Sequence, residues 1–398
     1  MAENGACYPA PMSFGPGFPA IAIAMASTLA AYTPAARAEP LTPARVAALR
    51  AQVRANFFVP DPLPPIDGKV HRRFEPARGV SAEAVTYATE FGMRVPAILY
   101  LPKPLPKGRI PAVIIVDGHG GDKYSWYSYY AGVVFARAGA AVLTYDQAGE
   151  GERSSTRESH TREHDKLEGG PTMARRLAGL MITDVMQAVS YLASRPEIDP
   201  ARIGAGGYSM GSFVLALAGA VEPRLRACAM VGGGNLDGPG GYWDGSKPMC
   251  QGLPYQSLSF LGDRGAVLYA LQVARGPVMI WNGRVDSIVA KAKDPFFADL
   301  RTHARQLAGG RTRCSRSVSP TAPGTARTSS RARWCRGWRR SSAFPAGLRR
   351  RCARCPRCAS VTGRALTASR STRRWHQRSA RAARSPSAMT CRASSARI

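Results

Sequence analysis

The sequence predicts an α/β protein built on a doubly wound, mostly parallel sheet with helices on both faces. Three observations predict it. Short apolar runs such as Ala112-Val-Ile-Ile-Val-Asp117 read as strands buried on both faces, as a parallel sheet covered by helices requires. Helical stretches alternate with such strands from residue 112 to residue 307, the rhythm of repeated βαβ units. At Gly207-Tyr208-Ser209-Met210-Gly211 a strand turns into an apolar helix through a Gly-x-Ser-x-Gly pentapeptide, a sharp turn that lifts one serine out at the top of such a sheet.

Each element has its own signal. Thr42-Pro43 caps and starts a helix with apolar positions at Val46, Leu49 and Val53, and the proline-rich stretch 59–66 ends it. Strand-like runs follow at 70–74, 84–91 and 95–101, and 102–111 is a linking loop. Then come a strand over 112–117, a helix over 130–138, a strand over 140–145 and a long polar loop over 146–170. A helix over 173–194, the elbow strand 202–208, a helix over 212–220 and a strand over 226–231 complete the middle. Residues 232–261 form a Gly-rich excursion without a clear period, a candidate rim or lid; a strand over 277–282 and a helix over 295–307 close the alternation. The expected organisation is an N-terminal segment over 39–83, one main domain over 84–310, and a tail of different character over 311–398.

Charge marks that tail. The chain of 398 residues carries a formal balance of +29, yet residues 311–398 hold 23 Arg and no Lys, Asp or Glu. The first 310 residues carry 32 basic and 26 acidic residues, so the body is only mildly basic. A nucleic-acid-binding arm would rest on the tail alone. Cys352-x-x-Cys355-x-x-Cys358 lacks a fourth ligand at metal-binding spacing, so no metal site is expected there or elsewhere. Arg without Lys, together with abundant Ala, Ser and Cys, is what a GC-rich gene gives when read out of frame. Shifting the frame over 322–329 permits Gly-His near Thr325. The expectation is that 311–398 is a frame-shifted product, irregular or disordered, and that nucleic acid is not a partner.

Residues 18–35 are apolar and small, and Ala36-Arg37-Ala38 supplies an Ala-x-Ala cleavage site, so 1–38 reads as a signal peptide and the protein as secreted or periplasmic, although no Lys or Arg precedes Arg37. The run is too short and too rich in Ala and Pro for a good membrane span, so no membrane partner is expected. Of nine Cys, only Cys228 and Cys250 belong to the body, either as a disulfide or as two buried thiols.

Four stretches carry chemistry. Ser209 in the elbow is a candidate nucleophile, with the helix N-terminus and the Met210 amide aimed at any negative charge that develops there. Asp117-Gly-His-Gly-Gly-Asp122 is a Gly-rich turn directly after the first buried parallel strand, with His119 read as structural. Tyr145-Asp-Gln-Ala-Gly-Glu-Gly-Glu-Arg153 opens the polar loop, and Trp281-Asn-Gly-Arg-Val-Asp-Ser-Ile-Val289 places Asp286 in a turn after a late strand. These stretches resemble the α/β-hydrolase superfamily, and its acetyl-xylan-esterase and dienelactone-hydrolase-like branch, over roughly residues 84–309. The resemblance implies oxyanion donors at the amides of Met210 and of Gly120 or Gly121. It implies Asp286 as the acid that orients the catalytic histidine, and a substrate-facing Glu150 or Arg153, with Asp146 and Arg153 otherwise ordering the loop. The order Ser…Asp…His leaves only His303, inside a helix, and His376, in the tail; His376 is the residue this order assigns as base, while the family's own histidine would correspond to the Gly-His of the shifted frame.

What the resemblance implies is a serine carboxylic-ester hydrolase acting through an acyl-enzyme on a small-molecule or carbohydrate ester, without a metal or organic cofactor, and inactive as written if its histidine is lost. Two alternatives stand beside it: a prolyl-oligopeptidase-type peptidase, for which the region before residue 84 is too short to hold a propeller, and a non-catalytic pseudoenzyme or Arg-tailed nucleic-acid-binding protein.

Overall fold

The computed structural model describes residues 39–234, 236, 247–283, 294–310 and 314–315, the backbone alone for 294–298 and 314–315. The expected signal peptide, Asp286, His376 and most of the tail lie outside the described residues, as does 237–246 of the excursion.

The elements in chain order are α1 (Pro43–Asn56), β1 (Lys69–Ala77), β2 (Val80–Ala88), β3 (Arg94–Pro102), β4 (Ile110–Val116), α2 (Trp126–Arg137), β5 (Ala141–Tyr145), α3 (Pro171–Ser194), β6 (Ile198–Tyr208), α4 (Met210–Val221), β7 (Cys228–Val231), α5 (Leu253–Gln256), α6 (Arg264–Val273), β8 (Val278–Trp281), α7 (Asp294–Leu307) and β9 (Cys314–Ser315). The described strands form one sheet in the order β1-β2-β3-β5-β4-β6-β7-β8-β9. Pairs from β1 to β5 are antiparallel, and every pair from β5 to β9 is parallel. The chain leaves β4 for β5 on one side and reaches β6 on the other, so β4 and β6 flank the point where the winding reverses. Open α/β sheets bind ligands in the crevice beyond the carboxyl ends of such strands.

Two apolar clusters sandwich the sheet. On one face Val133, Phe135 and Ala136 of α2 pack against Ile98, Tyr100, Val113 and Val142. On the other, α1, α3, α4, α6 and α7 contribute Val53, Ile182, Phe213, Leu268 and Leu300, packed with Leu99, Ile114 and Leu143. Each fully buried Leu, Ile or Phe contributes roughly 1.5–3 kcal/mol, against about 0–1 kcal/mol for an exposed ion pair. The sheet, not the surface charge, therefore fixes where the site stands. α3 is long and apolar enough to cross a membrane by length and composition, but most of it is buried within the protein, which makes it a core helix.

The structure differs from the sequence reading in four places. The sheet takes in residues 69–83: β1 lies N-terminal to the boundary read at residue 84 and pairs with β2. α1 joins the same core through Leu49 and Val53, and Arg50 donates from Nε to the Ala220 carbonyl (3.2 Å) and from Nη2 to the Leu271 carbonyl (3.0 Å), capping the ends of α4 and α6. α6 went unassigned in sequence because Gly265 to Val273 are all buried, which erases the polar face that makes a helix legible. The described part of the 232–261 excursion folds into the short turns Pro248–Gly252 and Ser259–Leu261 with α5 between them. Cys314–Ser315 pairs parallel with β8.

Candidate active site

Ser209 sits alone between β6 and α4 at φ 52° and ψ −115°, a backbone conformation that a residue bearing a Cβ rarely adopts. Its neighbours hold it there. A Cβ on Gly207 would stand 2.3 Å from the Gly211 carbonyl oxygen, and one on Gly211 would stand 2.1 Å from the carbonyl oxygen of Val116. No other residue type fits either position without moving backbone. The Ser209 amide donates to the Val231 carbonyl (2.9 Å), the Ser212 hydroxyl donates to the Gly207 carbonyl (3.0 Å), and the Val231 amide donates to the Ser212 oxygen (3.1 Å). The serine thus rests on the ends of both β6 and β7.

The register Val116↔Gly207 sets the turn after β4 against the elbow. A Cβ on Gly118 would come 3.0 Å from Ser209 Cβ and 2.9 Å from the Tyr208 carbonyl oxygen, so the two turns pack backbone to backbone. The Gly118 amide donates to the Tyr127 hydroxyl (3.1 Å). Met210 is the first residue of α4, whose leading amides have no acceptor within the helix and carry the positive end of its dipole, as the oxyanion role requires. The turn itself corrects the other half of that expectation. The Gly120 amide donates to Glu150 Oε1 (2.7 Å), and the Gly121 amide donates to the Gly118 carbonyl (2.8 Å). Both amides already have acceptors here, so an oxyanion role for either requires the turn to rearrange.

The polar loop after β5 is built inward. Asp146 is fully buried and accepts from the Lys123 amide (2.9 Å), the Lys123 ammonium (2.5 Å) and the Glu152 amide (2.9 Å). Burial raises its carboxyl pKa, and Lys123 opposes the shift. Arg153 is buried and pairs with the buried Asp184 of α3, which also accepts from the Thr89 hydroxyl (2.7 Å). Glu150 is buried too, held by the Gly120 amide and by Gln147 Nε2 (3.3 Å), and burial pushes its carboxyl well above the usual range. Arg153 orders the loop, as one of its two expected roles had it, and Glu150, expected to face substrate, points into the protein and braces the His119 turn.

The serine at a positive φ, on the switch point of a mostly parallel sheet between β6 and α4, decides the fold family. The chain has the α/β-hydrolase fold. Residues 65–231 match the acetyl xylan esterase family (AXE1). Among solved structures it is similar to Methylesterase BT1017 at 22% identity and a TM-score of 0.58, covering 77% of this chain and 65% of that one. A Bacteroides fragilis protein assigned as an acetyl xylan esterase superposes with a TM-score of 0.52 at 15% identity, covering 68% of this chain and 73% of that one. Among curated proteins, YtaP of Bacillus subtilis, described as a hydrolase, is 30% identical over 146 residues, 34% of this chain and 47% of its own length. Hydrolase ORFZ of Pyricularia oryzae is 33% identical over 162 residues, 39% of this chain and 33% of its own. The chain thus spans less than half the length of these curated relatives.

Within this fold the acid and base that the sequence named, Asp286 and His376, lie outside the described residues. His303 lies on α7 and its Nδ1 meets Asp263 Oδ2 at 2.6 Å, on a partly exposed helix surface. Cys228 and Cys250 are both buried free thiols, so the disulfide alternative is not realised.

Two groups of residues had no signal in the sequence. Beside Ser209, Tyr208 packs on Tyr127 (ring centroids 4.9 Å apart) and Tyr127 on Trp126 (5.6 Å), forming an aromatic shelf whose outer member, Trp126, is 76% exposed. On the other side of the β4 turn, His119, His164, Asp165 and Cys250 converge, each offering an atom within 4.8 Å of the others. They come from three separate loops, and no spacing motif could have linked them. A cavity of about 440 Å³ lined by Arg78, Gly79, Lys103 and Arg137 lies at the opposite end of the strands, where β3 ends and β5 begins.

Proposed function

We propose that this protein is a serine carboxylic-ester hydrolase acting on a small-molecule or carbohydrate ester. The observation that carries the reading is Ser209, forced to φ 52° at the N-terminus of α4 by two glycines that no larger residue can replace. Ser209 Oγ attacks the ester carbonyl as a base removes its proton. The developing oxyanion takes the Met210 amide and the helix dipole, and the alcohol leaves with the proton. Water then attacks the acyl-serine and releases the carboxylic acid. Asp286 is proposed to orient the base. For the base itself there are two candidates, His376 of the chain as written and the Gly-His that the shifted frame permits near Thr325. The aromatic shelf of Tyr208, Tyr127 and Trp126 offers flat apolar faces beside the serine, which favours a substrate with a sugar ring on one side of the ester. The reading of residues 1–38 as an export signal predicts secreted material whose N-terminus is Glu39.

Hydrolysis of p-nitrophenyl acetate tests the mechanism in two chains, the sequence as written and one with the frame restored after residue 310. Turnover is expected in the restored chain, with loss on Ser209→Ala, and little in the chain as written. Strong Ser209-dependent turnover by the chain as written, abolished by His376→Ala, would instead make His376 the base. Turnover in the restored chain that survives Ser209→Ala would refute the nucleophile assignment.

A further inference from the structure

The group beside the β4 turn has an unusual geometry. His119 Nε2 lies 3.3 Å from Cys250 Sγ and 3.2 Å from Asp165 Oδ1. Cys250 Sγ lies 3.5 Å from the same Asp165 oxygen, and His164 Nε2 is also 3.5 Å from it. A Cys-His-Asp catalytic relay would place the thiol and the carboxylate on opposite nitrogens of one imidazole. Here both meet the same nitrogen of His119, and a second imidazole points at the same spot. A tetrahedral zinc ion, with bonds of about 2.0–2.1 Å to nitrogen and oxygen and about 2.3 Å to sulfur, separates its ligand atoms by about 3.3–3.6 Å. Four of the six separations among these atoms, 3.2–3.5 Å, are close to those edges, and all of them lie within 4.8 Å.

The environment fits the same ligand. His164 Nδ1 meets the Ala148 carbonyl at 2.9 Å, which fixes the proton on that nitrogen and leaves the Nε2 lone pair pointing at the cluster. That Nε2 is buried and makes no hydrogen bond among the described residues. Burial holds both imidazoles in their neutral, lone-pair form, His119 down to about 4. Asp165 turns its other oxygen, Oδ2, to Lys247 (3.1 Å), so Oδ1 is left for the centre.

We infer that His119 Nε2, His164 Nε2, Asp165 Oδ1 and Cys250 Sγ form a binding site for a divalent transition metal of zinc type. Binding releases the thiol proton to solvent. The thiolate and carboxylate then neutralise the ion, leaving no net charge in a largely buried site. The metal would tie together the turn that packs on Ser209, the polar loop and the Pro248–Gly252 turn. The site stands independently of the esterase reading, because it uses neither Ser209 nor a base.

Cobalt(II) titration of the full chain tests it. Cys352, Cys355 and Cys358 are changed to Ser throughout, so that the tail does not compete. One equivalent is expected to give tetrahedral d–d bands and a thiolate-to-cobalt charge-transfer band. Cys250→Ser should abolish the charge-transfer band. His164→Gln should weaken binding at least about 10–100-fold, the usual loss when even an outer partner of a metal site is removed. Ser209→Ala should leave the spectrum unchanged, which separates this site from the esterase reading. Far-UV circular dichroism of the metal-free variants identifies any that do not fold; His164→Gln carries the test if Cys250→Ser does not. Absence of stoichiometric binding, a spectrum without the thiolate band, or a spectrum retained in the folded variants would overturn the inference.

Discussion

Two regions meet at Ser209 and are built by opposite means. The elbow is contiguous, Gly207 to Gly211, and backbone exclusion shapes it: hypothetical Cβ atoms at its glycines fall 2.1–2.3 Å from carbonyl oxygens. The loop and turn beside it are assembled from side chains far apart in sequence: Glu150 on the Gly120 amide, Asp146 on Lys123, Asp184 on Arg153, and the His119, His164, Asp165 and Cys250 group. The elbow tolerates no added atoms. The loop tolerates no lost partner, because each of these buried polar or charged groups needs its counterpart.

That contrast can be broken or sharpened by substitution. The largest expected effect is chemical: in the frame-restored chain, Ser209→Ala should reduce ester turnover by about 10³–10⁶-fold while leaving the melting temperature unchanged, since losing a nucleophile removes nearly all triad catalysis. Next is Asp184→Asn. It leaves the buried Arg153 guanidinium without its counter-charge and should cost about 3–5 kcal/mol in urea denaturation. A loss under 1 kcal/mol would show that the loop is not held by this pair. Gly211→Ala should cost about 3 kcal/mol or more, because its methyl meets the Val116 carbonyl rather than a movable side chain. Unchanged stability would mean that the elbow is looser than its geometry implies. Glu150→Ala should cost about 1–3 kcal/mol, the penalty for stranding a buried amide, here that of Gly120. If activity in the restored chain rises in Glu150→Ala, the freed Gly120 amide serves the oxyanion after all. The smallest effect is expected at Trp126→Ala: a several-fold rise in KM for a carbohydrate ester with kcat for p-nitrophenyl acetate unaltered, as for a residue that binds the substrate and not the transition state. Equal changes on both esters would remove the shelf from the substrate reading.

Legibility follows the same division. The elbow could be read because its requirement is local: a serine at positive φ demands small neighbours on both sides, and those neighbours are adjacent in sequence. β4, β5 and the elbow strand were legible as apolar runs, and α1 by its Thr42 cap, whose hydroxyl oxygen accepts from the Arg45 amide at 3.2 Å. α6 was not legible, since burial on every side removes the alternation by which a helix is recognised. The role of Glu150 was misplaced for a related reason: a charged residue in a loop looks solvent-facing until the fold shows that the Gly120 amide waits inside.

The sequence by itself determined the α/β class, the position of the elbow serine and the order of the strands along the chain, because propensity, apolar period and glycine placement act over a few neighbouring residues. Only the tertiary structure decided which amides of the Gly-rich turn are engaged, that residues 69–83 belong to the sheet, and that His119, His164, Asp165 and Cys250 share one small volume. Those outcomes depend on segments that meet only in the fold, across 30 residues for Gly120 and Glu150 and 131 for His119 and Cys250, and no local pattern sets the distances.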